Sequence, residues 1–86
     1  SACANWQATS DSWRGHKIDD VIYAWGPPLA EYRLDDGRKT ISYRYVNLGL
    51  NCLVTFRTDQ AGIVTSSTVE GNGGCNHFFQ SKSGAQ

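Results

Sequence analysis

An excess of charge of either sign is the first thing this sequence lacks. Eight Lys and Arg are balanced by eight Asp and Glu over 86 residues. Nucleic-acid binding and polybasic adhesion to a membrane surface both need Lys and Arg in excess on one face, so the balance argues against both. Long apolar runs are missing too: none reaches the roughly 18 residues that a membrane-spanning helix needs. Histidine is scarce, with only His16 and His77. The chain carries no Gly-x-Ser-x-Gly elbow, no Gly-rich phosphate loop and no His-Glu-x-x-His helix. Cys52, Cys75, His77 and His16 could in principle ligate zinc. No Cys-x-x-Cys pair nucleates such a site, however, and His16 would have to come from another layer. The adjacent carboxylates Asp19-Asp20 and Asp35-Asp36 are explained by a helix N-terminus and a turn. These absences point to a protein that is not an enzyme and holds no metal or cofactor.

What is present begins with aromatic residues and cysteine. Three Trp, four Tyr and three Phe supply a compact core for one domain. A chain this short buries only about 60–65% of its unfolded surface, so a covalent staple would help it. The cysteines are odd in number. The simplest arithmetic is one internal bridge, Cys52–Cys75, with Cys3 left for another task. That bridge would close a loop of about two dozen residues, worth roughly 3–4 kcal/mol on the chain-entropy view, and it implies an oxidising compartment. The alternative is three reduced, buried thiols.

Residues 1–9 read as a polar tail. Ser1-Ala2-Cys3 resembles the end of a bacterial lipoprotein signal, in which small residues precede the cysteine that receives lipid. A cloning remnant or an ordinary thiol is the alternative. Trp6 and Trp13 lie seven apart and suit one face of a first helix from about Ser10. The stretch Gly15 to Pro28 predicts a second helix. Ile18, Val21, Ile22 and Trp25 form one apolar stripe, and Gly26-Pro27-Pro28 stops it. Its N-cap position falls on His16 or Lys17, neither a good cap.

The pattern then changes to period two. Ala30, Tyr32 and Leu34 alternate with Glu31 and Arg33, then Ile41, Tyr43 and Tyr45 with Thr40, Ser42 and Arg44, and Cys52, Val54 and Phe56 with Leu53, Thr55 and Arg57. Turns fall at 35–38, 47–51 and 59–62. A fourth strand, Ile63 to Glu70, has a register that either Ile63 or Val64 could set. With residues 60–61 at the hairpin centre, Cys52 falls opposite about Val69. Gly71 to Gly74 read as a flexible turn that returns Cys75. Residues 10–79 form the domain, and 80–86 a disordered tail. The expected fold is α+β: two N-terminal helices packed on one face of a three- to four-stranded antiparallel meander. Either the Ala30–Leu34 strand or the Ile63–Glu70 strand could be an exposed edge, which leaves dimerisation by strand addition open. Tyr32, Arg33, Tyr43, Arg44 and Tyr45 crowd one hairpin and are candidate protein-binding residues, because Tyr and Arg dominate interaction hot spots. The alternative is that the tyrosines belong to the half-buried sheet and the arginines are solvated.

The order of motifs resembles the BamE/SmpA/OmlA group of small outer-membrane lipoproteins. Gly15, Val21, Tyr23, Ala24, Trp25-Gly26 and Pro28 match that family's glycine-opened helix and its hydrophobic-Gly-x-Pro stop. Tyr43-Arg44-Tyr45, Val54-Thr55-Phe56 and Asp59-x-x-Gly62-Ile63-Val64 are similar to its later strands. Cys3 matches the family's lipid-attachment position, and Ala4 and Asn5 after it are compatible with sorting to the outer membrane. Cys52 and Cys75 place the resemblance with a disulfide-bearing branch rather than BamE itself. It implies a lipid-anchored, periplasm-facing module that binds another envelope protein and supports outer-membrane assembly or integrity. The two-helix-plus-sheet unit is also similar to that of the β-lactamase inhibitory proteins, which implies the alternative of a hydrolase inhibitor.

Overall fold

The computed structural model describes the backbone of residues 2–85 and the side chains of residues 6–85. The elements run α1 (Ala2–Asp11), α2 (Ile18–Trp25), β1 (Ala30–Arg33), β2 (Lys39–Asn47), β3 (Leu50–Thr58), β4 (Val64–Gly71) and α3 (Gly74–Gln80). The fold is α+β, and the strands form one antiparallel sheet in the order β1-β2-β3-β4.

The helical part departs from the expected pair. The first helix occupies the segment read as a tail and ends about where it was expected to begin. After Asp11 the bonds tighten to i−3 spacing, Trp13 N–H to Ser10 O and Arg14 N–H to Asp11 O, which ends the α-helix. Trp13 therefore sits in a turn, yet it is still buried. A third helix, α3, lies at the C-terminal end, starting on the last residue of the expected Gly71–Gly74 turn and running through a stretch for which no element was expected. It is only two turns long. Its burial of Gly74, Cys75 and Phe78, together with a covalent bond to β3, fixes it in place of strong helix propensity.

The second helix forms as its stripe dictates, with Ile18, Val21 and Trp25 buried and Asp19 and Asp20 in its first turn. Its missing side-chain cap is replaced by backbone. Ile18 N–H donates to Gly62 O at 2.8 Å, so the β3–β4 turn satisfies a donor that Lys17 leaves free. Gly26 ends the helix at φ +89°, ψ −177°, a conformation essentially confined to glycine.

Register pairing puts Ile41, Tyr43 and Tyr45 on the same sheet face as Phe56, Val54 and Cys52. These residues, with Val64, meet Trp13, Ile18, Val21, Trp25, Cys75 and Phe78 in one core. Trp25 is its centre, edge-on to Tyr43, Phe56, Phe78 and Phe79 at 5.1–5.8 Å between ring centroids. Such geometry places positive ring edges against negative faces. Val64, not Ile63, turns inward. Thr58 pairs with Val64, which centres the turn on residue 61, and an irregularity at Arg57/Thr58 adds one more residue, so Cys52 lies opposite Gly71 and not Val69. Gly71 opens the way for α3 to return, and Cys75 reaches Cys52 in a disulfide with 4.8 Å between Cα atoms. The segment expected to be a disordered tail packs instead. Ser83 O accepts both the Trp13 and Trp25 indole N–H groups, and Ala85 N–H donates to Ser12 Oγ.

Candidate functional site

The residues expected to bind a partner do not come together. Tyr43 is 5% exposed and belongs to the core, where its hydroxyl donates to Gly26 O at 2.8 Å. Burial pushes its phenol pKa up to about 12. Tyr45 lies on the helix side and stacks on His77 of α3, 5.9 Å apart and 14° from parallel. Arg44 lies on the opposite face, as its pairing with Leu53 requires. Tyr32 shares that face through its pairing with Thr40. Glu31 pairs with Ile41, so in β1 it is the charged residues that fall on the helix side, contrary to the expected alternation. Arg33 accordingly points to a shallow cleft with Lys17, Asp19 and Lys39.

The chemistry-bearing residues are equally dispersed. Cys52 and Cys75 are consumed by their disulfide, His77 by its stack, and His16 lies edge-on to Trp13. Among the described residues no group of three His, Cys, Asp or Glu could hold a metal ion. Asp36 is held below the usual carboxylate range by the Arg38 backbone N–H and, secondarily, by the Arg38 guanidinium, in an exposed turn. The side chain of Cys3 lies outside the described residues.

The surface does converge at the β2–β3 hairpin. Asn47 pairs with Leu50, so the connection is the two-residue loop Leu48-Gly49. Its φ angles are +49° and +84°, the paired positive values of a type I′ turn. Such a turn normally takes Asn, Asp or Gly at its first position. Leu48 is the only non-glycine residue with positive φ among the described residues, and it is 95% exposed. Val46, two residues earlier, is 65% exposed. An apolar side chain is thus held in solvent on a backbone that disfavours it by about 1–2 kcal/mol. Strain of this kind persists where the surroundings enforce it.

Here the enforcement comes from the chain between β4 and α3. Asn72 Oδ1 accepts from Asn51 N–H at 2.9 Å and from Gly74 N–H at 3.0 Å. Its Nδ2 donates to Gly49 O at 3.1 Å, and its backbone N–H donates to Asn51 O. One Asn side chain therefore joins the turn, the first residues of β3 and the start of α3. The Cys52–Cys75 bridge clamps the same place covalently. The hairpin end is braced by the chain's own bonds, and such bracing lowers the ordering cost of binding. Sequence reasoning passed over Leu48, although Leu-Gly where a two-residue loop calls for Asn-Gly was a readable signal. No family model matches the chain, and no curated protein or solved structure matches it either.

Proposed function

We propose that this chain is a non-enzymatic protein-interaction module whose docking element is the β2–β3 hairpin end. The carrying observation is Leu48: an exposed apolar side chain, in a conformation that costs stability, on a hairpin braced from behind. In this reading the module belongs to a bacterial lipoprotein, anchored through Cys3 in the outer membrane and facing the periplasm. There it binds another envelope protein and supports outer-membrane assembly or integrity. The Cys52–Cys75 disulfide supports an oxidising compartment of this kind. The exposed surface of Leu48 and Val46 supports an apolar recess on the partner.

A deletion strain, complemented with wild type, Leu48→Asp or Cys3→Ala, tests this. Loss of resistance to bulky antibiotics in the deletion, rescued by wild type and by neither variant, is the expected result. Metabolic lipid labelling should mark wild type and spare Cys3→Ala. A deletion strain with an intact barrier would count against the envelope role. The second reading, an inhibitor of a hydrolase, draws on the same braced end, because a narrow two-residue turn fits an enzyme cleft. Inhibition of lysozyme or a β-lactamase at micromolar protein, lost in Leu48→Asp, would favour it.

A further inference from the structure

The two edges of the sheet are treated differently. The β4 edge is occupied: Gly15 N–H donates to Val64 O, Val64 N–H donates to His16 O, and Gln7 Nε2 donates to Ser67 O at 3.2 Å. The β1 edge has no such cover among the described residues, and all four of its residues are exposed. A bare edge is a template for another strand.

We propose that the β1 edge pairs antiparallel with the β1 edge of a second copy of this chain, with Tyr32 at the two-fold axis. The backbone fixes which groups are free. Leu34 N–H donates to Arg38 O at 2.8 Å, so residue 34 belongs to the hydrogen-bonded set facing β2. Alternation along an antiparallel strand puts Tyr32 and Ala30 in the same set. Glu31 and Arg33 therefore direct their N–H and C=O groups to the open side. Only registers that oppose these outward residues to one another make hydrogen bonds.

Three such registers exist on a strand this short. Centred on Glu31, two carboxylates face each other. Centred on Arg33, two guanidiniums do. Centred on Tyr32, each Glu31 meets an Arg33 of the second copy, twice, and both pairs are of the hydrogen-bonded kind. Like charges directly opposite are unfavourable and opposite charges favourable, so charge selects the third register. Glu31 and Arg33 make no ion pair within the monomer, where Arg38–Asp36 is the only one among the described residues. Tyr32, 65% exposed, then meets its own copy at the closely spaced position on the uncovered face. The result is one continuous eight-stranded sheet, the sum of two four-stranded ones.

The contact is small, which puts it in the weak, transient class with a Kd of roughly 0.1–1 mM. Sedimentation equilibrium in a Cys3→Ala background tests it from about 10 μM to 1 mM, a range that spans that Kd. Mass should rise towards the dimer across this range. Glu31→Arg and Arg33→Glu should each weaken dimerisation about tenfold, and the double exchange should restore it, since it re-forms the pairs with their signs swapped. In the same background, Tyr32→Cys should give a disulfide-linked dimer on mild oxidation, and Arg33→Cys should do so far more slowly. A monomer throughout, a dimer indifferent to the charge exchanges, or faster crosslinking at 33 than at 32 would each overturn the proposal.

Discussion

Replacing Leu48 with Asn separates stability from function at the hairpin end. Leu48 sits at φ +49° and is 95% exposed, so its side chain contributes almost no burial that a substitution could lose. The left-handed conformation costs an ordinary L-residue about 1–2 kcal/mol, whereas Asn adopts it readily. Asn-Gly is also the preferred pair for a type I′ connection. Leu48→Asn should therefore stabilise the chain by about 1 kcal/mol, raising Tm by roughly 4–8 °C for a domain of this size. Urea unfolding followed by circular dichroism, with the disulfide intact, should show a higher midpoint at an unchanged slope. The same variant should lose the function that Leu48→Asp loses. A variant no more stable than wild type would refute the strain argument. A more stable variant that keeps full activity would refute the docking role.

Three further outcomes follow from other parts of the structure. Replacing Cys52 and Cys75 together with Ala should cost about 3–4 kcal/mol in urea unfolding, because the bridge joins residues 23 apart in sequence; a loss under about 1 kcal/mol would show that the α3 packing holds without it. Gly74→Ala should destabilise by roughly 2 kcal/mol or more, since its Cβ would stand 2.5 Å from Asn51 N and 2.8 Å from Asn51 C, backbone that cannot yield; wild-type stability would contradict this. Tyr43 keeps its proton to about pH 12 when folded, while the unfolded phenol loses it near pH 10. Stability should then be flat with pH below about 10 on account of this group, fall from 10 to 12, and level off above. Tyr43→Phe should flatten that fall, at about 1 kcal/mol of neutral-pH stability for the donor lost to Gly26 O.

The fold was legible where periodicity and burial agree. The Ile18–Val21–Trp25 stripe, the Gly26 stop and the inward set of β2 and β3 stand as their spacing requires. It was illegible where tertiary contacts decide. The α1 segment has no apolar stripe to announce it; Gln7 donating to Ser67 O and Asp11 accepting from Ser67 Oγ hold it on β4, and Trp6 donates to Asn76 of α3. The α3 segment opens on Gly74, a poor helix former, and forms because Cys75 is tied to Cys52 and Phe78 enters the core. Residues 81–85 look like a polar tail because the contribution they make to the buried indoles comes from backbone, while their side chains add Ala85 against the core and Lys82 over the Phe78 ring. Only the Ser83 carbonyl, not any side chain there, answers the two buried indoles.

The site was hidden for a related reason: residue type alone ranks side chains without knowing which way they point. Tyr and Arg on one hairpin looked like a binding surface, but period-two geometry divides them between faces, and pairing to β2 decides the division. In β1 the apolar alternation suggested one inward set and pairing to β2 imposed the other, and with all four residues exposed the strand gains little from either phase. A four-residue strand carries too weak a hydrophobic signal to fix its own phase. The two-residue turn was different, since its demand is local. Given strands that end at Asn47 and begin at Leu50, both loop residues need positive φ, and a leucine there conflicts with local preference. Asn72 and the disulfide hold the turn, but nothing in the folded chain calls for a leucine in it, because Leu48 is 95% exposed; that choice is best explained by something outside the chain, and Leu48 is where such a partner would be met.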